Sequence, residues 1–389
     1  PIYQTVSYEF DNAQHGADLF DLAVEGNIYS RIMNPTNDVL EKRVAELEHG
    51  VAALAVGSGM AAIEYALITL ASQGGGTYTL FRHMLPSFGI KVHFADSDKP
   101  EDIAKLIDSK TKAVYCESIG NPAGNIADLE GYAQVAHKHG VPLVVDNTVA
   151  TPILCKPVDF GADIVVHSLT KYIGGHGNSV GGLIVDSGRF DWAQEKQRFP
   201  QFSSPEPAYH GVVYTDAFGP AAFIARVRTV ALRNTGACLS PFNAFLLLQG
   251  LETLALRIER HCENALKVAE YLKAHPQVEW VNFAALPEHR NQELAKKYIK
   301  NAVPASLLTF GVKGGYDAGV TFYDKLKLFK RLVNIGDAKS LACHPASTTH
   351  RQLSTEEQAS VGVKPEAIRL CVGIENVEDI IADISQALS

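Results

Sequence analysis

The sequence predicts an α/β protein: a large domain built on a mostly parallel sheet, then a smaller α+β domain. Three observations carry this. From Ile90 to Ser168, short apolar runs alternate with helix-length amphipathic runs, the pattern of β-α-β units. The apolar runs end abruptly in polar residues, as strands do at the edge where open α/β sheets hold their ligands. The length, 389 residues, suits one large domain plus a smaller one. We divide the chain into an N-terminal arm with a first helix (1–50), a large domain (51–250) and a small domain that includes a linking helix (251–389).

Bulk composition narrows the function classes. The chain is 46% hydrophobic and 20% charged, with a net charge of -8 and no basic run. That is an ordinary globular balance and disfavours a nucleic-acid surface. No apolar run reaches about 18 residues, so no transmembrane helix is expected. The six cysteines are scattered without a CxxC pair, and the fourteen histidines lack metal-binding spacing. Neither a disulfide framework nor a metal centre is expected. For His167 and His176, structural roles are favoured over ligation.

In chain order, residues 1–36 have little helical periodicity and read as an extended arm of the kind that packs on a neighbouring subunit. Within it Tyr29 and Arg31 alternate with Ile28, Ser30 and Ile32, so both can point the same way. Residues 37–49 form an amphipathic helix with Val39, Leu40, Val44 and Leu47 as its stripe. The apolar run 52–56 leads through Gly57-Ser58-Gly59-Met60 into a helix. Small residues at a helix start leave backbone N–H groups open to a phosphate. The alternation then fails: Gly74-Gly75-Gly76 joins two helix-like runs with no strand between them.

Regular order resumes with a strand at 91–95, a helix near 100–108 and a strand at 113–118 that turns at Asn121-Pro122. A helix at 128–139 precedes the strand 141–148, which ends in Asp146-Asn147-Thr148, and another strand covers 163–168. Residues 190–235 are rich in aromatics and proline and read as an inserted arm. A long apolar helix, 240–273, breaks near Gly250 and bridges to the second domain. There, strands around 278–283, 306–312, 332–337 and 367–373 interleave with helices near 293–300, 316–330 and 376–388.

The chemistry concentrates in 162–182. A buried strand delivers Ser168, Thr170 and Lys171 to a loop containing Gly174, Gly175, Gly177, Gly181 and Gly182. A lysine at a strand end, beside two hydroxyls and bare backbone, meets the needs of pyridoxal phosphate: an amine for the aldehyde, hydroxyls for the phosphate, and room for close approach. Asp146, at the end of another strand, can pair a protonated pyridine nitrogen. Arg369 lies inside an apolar strand, where a buried cation needs an anion. Either a substrate carboxylate or a structural Asp or Glu would serve.

The segments NIYSRIMNPT, SGMAA, ESIGNP, VVDNT, SLTKYIGGHG and IRLCVGIE, in this order, resemble the Cys/Met-metabolism family of pyridoxal-phosphate enzymes. Stretches 205–223, 232–257 and 322–350, with ELAKKY, look most like its O-acetylhomoserine sulfhydrylase branch. The resemblance implies a fold-type-I, aspartate-aminotransferase-like fold with a seven-stranded sheet in the large domain. It implies a cytoplasmic homotetramer, a dimer of dimers with active sites shared between subunits. Lys171 would carry the cofactor and act as the catalytic base. Asp146 would pair its ring nitrogen, with Thr148 near the ring. Gly59, Met60, Ser168 and Thr170 would hold its phosphate, joined by Tyr29 and Arg31 from the neighbouring subunit. Asn121, Ser340 and Arg369 would bind the substrate α-carboxylate or the adjacent cofactor oxygen.

The implied reaction is a γ-replacement in methionine biosynthesis, O-acetylhomoserine plus sulfide or a small thiol giving homocysteine or methionine plus acetate. Cystathionine γ-synthase and methionine γ-lyase of the same family share the cofactor residues, and a non-catalytic relative is the alternative from another class. At one place the chain departs from the family. The family has a strand and loop before the triple glycine, ending in a tyrosine that stacks on the cofactor ring. Tyr78 does not match it, and the resemblance implies that roughly ten residues, a short strand plus its loop, are missing here.

Overall fold

The computed structural model describes residues 1–71, 89–95, 98–349, 351, 354, 358 and 363–389. The failed alternation, with Gly74–Gly76 and Tyr78, lies outside the described residues. Two five-stranded sheets organise the rest. The first contains β1 (Ala52–Val56), β2 (Val114–Glu117), β3 (Leu143–Asp146), β4 (Ile164–Ser168) and β5 (Gly182–Asp186), in the order β1-β5-β4-β3-β2. β2, β3 and β4 are parallel, and β5 runs against both of its neighbours. Four strands thus share one direction. The expected seven strands reduce to five among the described residues.

The strands are continuous apolar runs because both faces of this sheet are covered. Val145, Val165, Leu183 and Val185 pack on one side with Leu40 and Val44 of α2 (Pro35–Leu47). Val144, Ile164, Val166 and Ile184 pack on the other with Ala62, Tyr65 and Ala66 of α3 (Gly59–Ala71). In α2 the expected stripe holds at Leu40, Val44 and Leu47, while Val39 is exposed and Glu41 faces inward. The buried Glu41 carboxylate accepts from Ala55 N on β1 and pairs with Arg228.

The second sheet contains β6 (Val278–Asn282), β7 (Leu307–Val312), β8 (Lys330–Arg331), β9 (Leu341–Cys343) and β10 (Ala367–Cys371), in the order β6-β7-β10-β9-β8. The helices Leu254–Ala274 and Val377–Leu388 pack on it through Ala265, Val268, Leu272, Ile380 and Ile384.

Several elements differ from expectation. Residues 91–95 form no strand. Residues 190–235 are not an arm: Trp192, Phe199, Phe202 and Phe223 are buried against each other and against the face that α3 covers. Their prolines and glycines keep the helices short, and their rings supply the apolar area. Residues 332–337 are not a strand either. Gly336 turns there with φ +74°, and a Cβ on it would lie 2.4 Å from Tyr172 N. The long helix breaks at Thr253 rather than Gly250, giving Pro241–Glu252 and the linking helix Leu254–Ala274. An additional helix, α1 (Ala13–Phe20), interrupts the N-terminal arm. All six cysteines are free, and among the described residues no helix is long and apolar enough to cross a membrane.

Candidate functional site

The parallel strands bring their polar ends to one edge. Glu117 and Asp146 are paired residues of β2 and β3, and Asp146 pairs in turn with Val166 on β4. Asp146 Oδ1 accepts from Thr148 N at 2.9 Å, and Tyr115 OH reaches Oδ2 at 3.4 Å. Burial raises the pKa of this carboxyl, while the hydroxyl and amide of Thr148 and the neighbouring His167 oppose the rise. Burial and the Asp146 charge also raise the Glu117 pKa. Two carboxyls one strand apart therefore compete to stay ionised, and a cation beside Asp146 would settle the competition in its favour. Thr148 Oγ1 also accepts from Ser168 N at 2.8 Å, which locks the ends of β3 and β4 together.

Beside Ser168 lies the start of α3. Ser58 Oγ accepts from Ala61 N at 3.1 Å and caps the helix. A Cβ on Gly59 would sit 2.6 Å from the Ser168 Cβ, so only glycine permits this approach. The Ser168 hydroxyl has no hydrogen-bond partner among the described residues. Thr170 differs: its hydroxyl donates to Gly181 O and accepts from Gly181 N, so it holds the glycine loop.

Lys171 projects from the segment after β4, and its Nζ donates to Asn334 Oδ1 at 2.6 Å. Burial lowers the pKa of its amine, and the Arg369 charge lowers it further. Arg369, 8% exposed in β10, donates to Asn121 Oδ1 at 3.2 Å and to Asn334 O at 3.3 Å. Among the described residues no Asp or Glu pairs with it. Asn334 thus joins the lysine of one sheet to the arginine of the other. Sequence reading passes over it, because one asparagine in the run LVNIG gives no periodic signal.

The other candidates fall outside this cluster. Ser340 is fully buried and spent within the protein: Oγ donates to Glu375 Oε2 at 2.9 Å and accepts from Gly373 N at 2.8 Å. Its backbone N donates to Glu375 Oε1 and its carbonyl accepts from Lys330 N. Its hydroxyl and both its backbone groups are thus engaged within the protein rather than in the Lys171 cluster. The Arg31 guanidinium lies 5.3 Å from the centre of the Tyr29 ring and donates to Arg233 O. The pair holds together on the arm, apart from the Lys171 cluster in its contacts. His167 pairs with the buried Glu48 at 2.6 Å, and His176 contacts Gly174 O. No metal-binding group of His, Cys, Asp and Glu occurs among the described residues.

These residues fit pyridoxal phosphate. Among the described residues a half-buried amine has only a neutral partner, a half-buried carboxyl stands at the neighbouring strand end, and a capped helix start meets an unengaged hydroxyl over a glycine. The cleft that opens beside Tyr115, Glu117, Gly120 and Asn121 holds about 340 Å³.

Comparisons with known proteins point the same way. The model of the family described as Cys/Met metabolism PLP-dependent enzyme matches residues 1–389. The chain is 53% identical over 399 residues to a homocysteine synthase of Schizosaccharomyces pombe, covering 100% of this chain and 93% of that protein. It is 51% identical to O-acetyl-L-homoserine sulfhydrylase 1 of Thermus thermophilus, covering 100% and 94%. A Campylobacter jejuni crystal structure, assigned as an O-acetylhomoserine (thiol)-lyase and carrying pyridoxyl-lysine monophosphate, superposes with a TM-score of 0.96 at 45% identity, over 100% of this chain and 94% of that one. With a half-buried lysine where such a cofactor needs one, and likeness along its whole length, the chain belongs to the Cys/Met metabolism PLP-dependent enzyme family.

Proposed function

We propose that this chain is a pyridoxal-phosphate-dependent O-acetylhomoserine sulfhydrylase, converting O-acetylhomoserine and sulfide to homocysteine and acetate. One observation carries the choice of an amino-acid substrate. The Lys171 amine and the Arg369 guanidinium, which has no carboxylate partner among the described residues, meet across Asn334. An α-amino acid presents an amine and a carboxylate to such a pair. The relatives named above supply the acyl group and the sulfur donor.

The cofactor, when bound, supplies an electron sink for charge developing at the substrate α-carbon. Lys171 Nζ holds it and, once displaced, moves protons at the substrate α- and β-carbons. Its lowered pKa keeps more of it as free amine than an exposed lysine would have. Asp146 holds the proton on the pyridine nitrogen, oriented by Thr148. Gly59 and Met60 at the start of α3, with Ser168, bind the phosphate, and Thr170 holds the loop beneath it. Arg369, oriented by Asn121, binds the α-carboxylate. In the overall replacement the Cγ–O bond breaks, acetate leaves with the electron pair, and a Cγ–S bond forms.

To the same reading belong the finer features of the family: a fold-type-I large domain of seven strands, the division at 50 and 250, and a cytoplasmic homotetramer. In it Tyr29 and Arg31 serve the phosphate of the adjoining subunit, a placement supported by their lying together on the arm.

The test is an absorption spectrum of the purified protein with pyridoxal phosphate, then addition of O-acetylhomoserine with and without sulfide. The expected result is a visible band that shifts on substrate, with homocysteine formed only when sulfide is present. A keto acid and ammonia without sulfide would mark a γ-lyase instead. No band at all would overturn the cofactor assignment.

A further inference from the structure

The linking helix Leu254–Ala274 turns a stripe inward that begins Leu254, Arg257, Ile258, His261, Asn264 and continues with small and apolar residues through Leu272. Arg257, His261 and Asn264 are 5%, 0% and 3% exposed. Their spacing, i, i+4 and i+7, puts them on one face where an ordinary core helix would carry leucines. Burying a guanidinium, an imidazole and an amide is costly unless each is satisfied, and a leucine there would commonly be at least as stable.

What the three residues touch is specific. Arg257 donates to Tyr172 O at 2.7 Å, to Ile173 O at 3.2 Å and to Gly250 O at 2.7 Å. The first two carbonyls directly follow Lys171. His261 Nδ1 donates to Val372 O at 2.6 Å. Asn264 Nδ2 donates to Gly373 O at 3.0 Å and Glu375 O at 2.9 Å. These carbonyls follow β10, the strand that carries Arg369. The His261 ring also stands edge-on to the Tyr172 ring at 5.5 Å. One end of the stripe therefore grips the lysine segment of the first sheet, and the other grips the arginine strand of the second.

Two further features agree. Gly175 has φ +69°, and a Cβ there would lie 2.2 Å from Arg257 Nη1, so the lysine loop is shaped around the guanidinium. Ala338 N donates to Gly175 O, and Ile374 N donates to Ala338 O. The segment of Asn334 and Ser340 is thereby stitched between the two gripped segments.

We propose that Arg257, His261 and Asn264 are positioning residues that set the separation between the Lys171 amine and the Arg369 guanidinium, and so the fit of the amino acid held between them. This rests on the function proposed above. None of the three touches the substrate; they act through the two backbone segments.

The test uses the cofactor-loaded protein and L-norvaline, an amino acid with the required amine and carboxylate but no leaving group. Cofactor occupancy, the norvaline Kd, KM and kcat for O-acetylhomoserine, and Tm are measured for His261→Leu, His261→Asn, Asn264→Leu and Arg257→Lys. His261→Leu is expected to keep its cofactor while raising the norvaline Kd and the KM about tenfold, the effect of one lost hydrogen bond to a held segment. His261→Asn, which returns a donor near the Nδ1 position, is expected to recover most of that loss. Asn264→Leu acts at the same end and replaces His261→Leu if that variant does not fold. Arg257→Lys is expected to release cofactor more readily as well, because it loosens the lysine end. Variants that lose Tm but keep the wild-type Kd and KM would show a merely structural role and overturn the proposal alone. A wild-type protein that takes up no cofactor would overturn the function, and this proposal with it.

Discussion

Arg369→Met separates the two partners a buried arginine can have. In the structure the guanidinium donates to two neutral oxygens at 3.2 and 3.3 Å, both long, and among the described residues it meets no carboxylate. A substrate carboxylate would be its first anionic partner. A hydrogen bond between charged groups is worth about 1.5–3 kcal/mol. Taking about 3 kcal/mol for the fork as a whole, and about 1.4 kcal/mol per factor of ten, the KM for O-acetylhomoserine should rise about a hundredfold. The carboxylate is gripped alike before and during reaction, so kcat should change far less. Removing a buried cation that has no anion among the described residues should leave Tm unchanged or higher. The Lys171 amine should also regain a higher pKa, since the Arg369 charge helps to depress it. Steady-state kinetics with sulfide, a thermal melt and an NMR titration of the apo-protein lysine read these out. An unchanged KM, or a Tm lower by several degrees, would refute the carboxylate role.

Lys171→Ala should stay folded, because among the described residues the side chain makes one hydrogen bond, to Asn334. It should show no visible cofactor band and no turnover above background; a residual band would move the covalent link elsewhere. Asp146→Asn should retain cofactor but lose about a hundredfold or more in kcat, the usual scale for removing one group that stabilises developing charge; unchanged kcat would leave the ring nitrogen to another group. Burial pushes the pKa of His261 down to about 4. Between its unfolded value and that one, the unfolded chain binds a proton that the native state refuses. The stability from this residue is therefore whole above about pH 6.5 and is lost towards pH 4, by up to about 3 kcal/mol. Urea midpoints for His261→Asn should fall less steeply over that window; a slope parallel to wild type would count against the assignment.

The residues that sequence alone exposes are those that break a rule of burial. A strand covered on both faces is a continuous apolar run, so Asp146 at the end of β3 and Lys171 just past β4 stand out. Arg369 stands out for the same reason, inside β10. What escapes is whatever breaks no local pattern. β8 and β9 are two and three residues long, too short for any period to register. Asn334 acts through a side-chain oxygen towards Lys171 and a backbone oxygen towards Arg369, and the latter leaves no mark on residue type. The aromatic segment 190–235 resembles a loop by its prolines, although its rings are core. Ser340 shows the reverse case: a serine in the right segment whose hydroxyl is engaged by Glu375 and Gly373. The linking helix is the plainest case. Arg257, His261 and Asn264 look like interruptions of an apolar stripe, yet each meets a carbonyl in the segment that follows Lys171 or the strand of Arg369. Strand ends are set by local burial and can be read one segment at a time. The distance between Lys171 and Arg369 depends on two sheets at once, so it can be held only by groups that reach both, and such groups appear in sequence as exceptions.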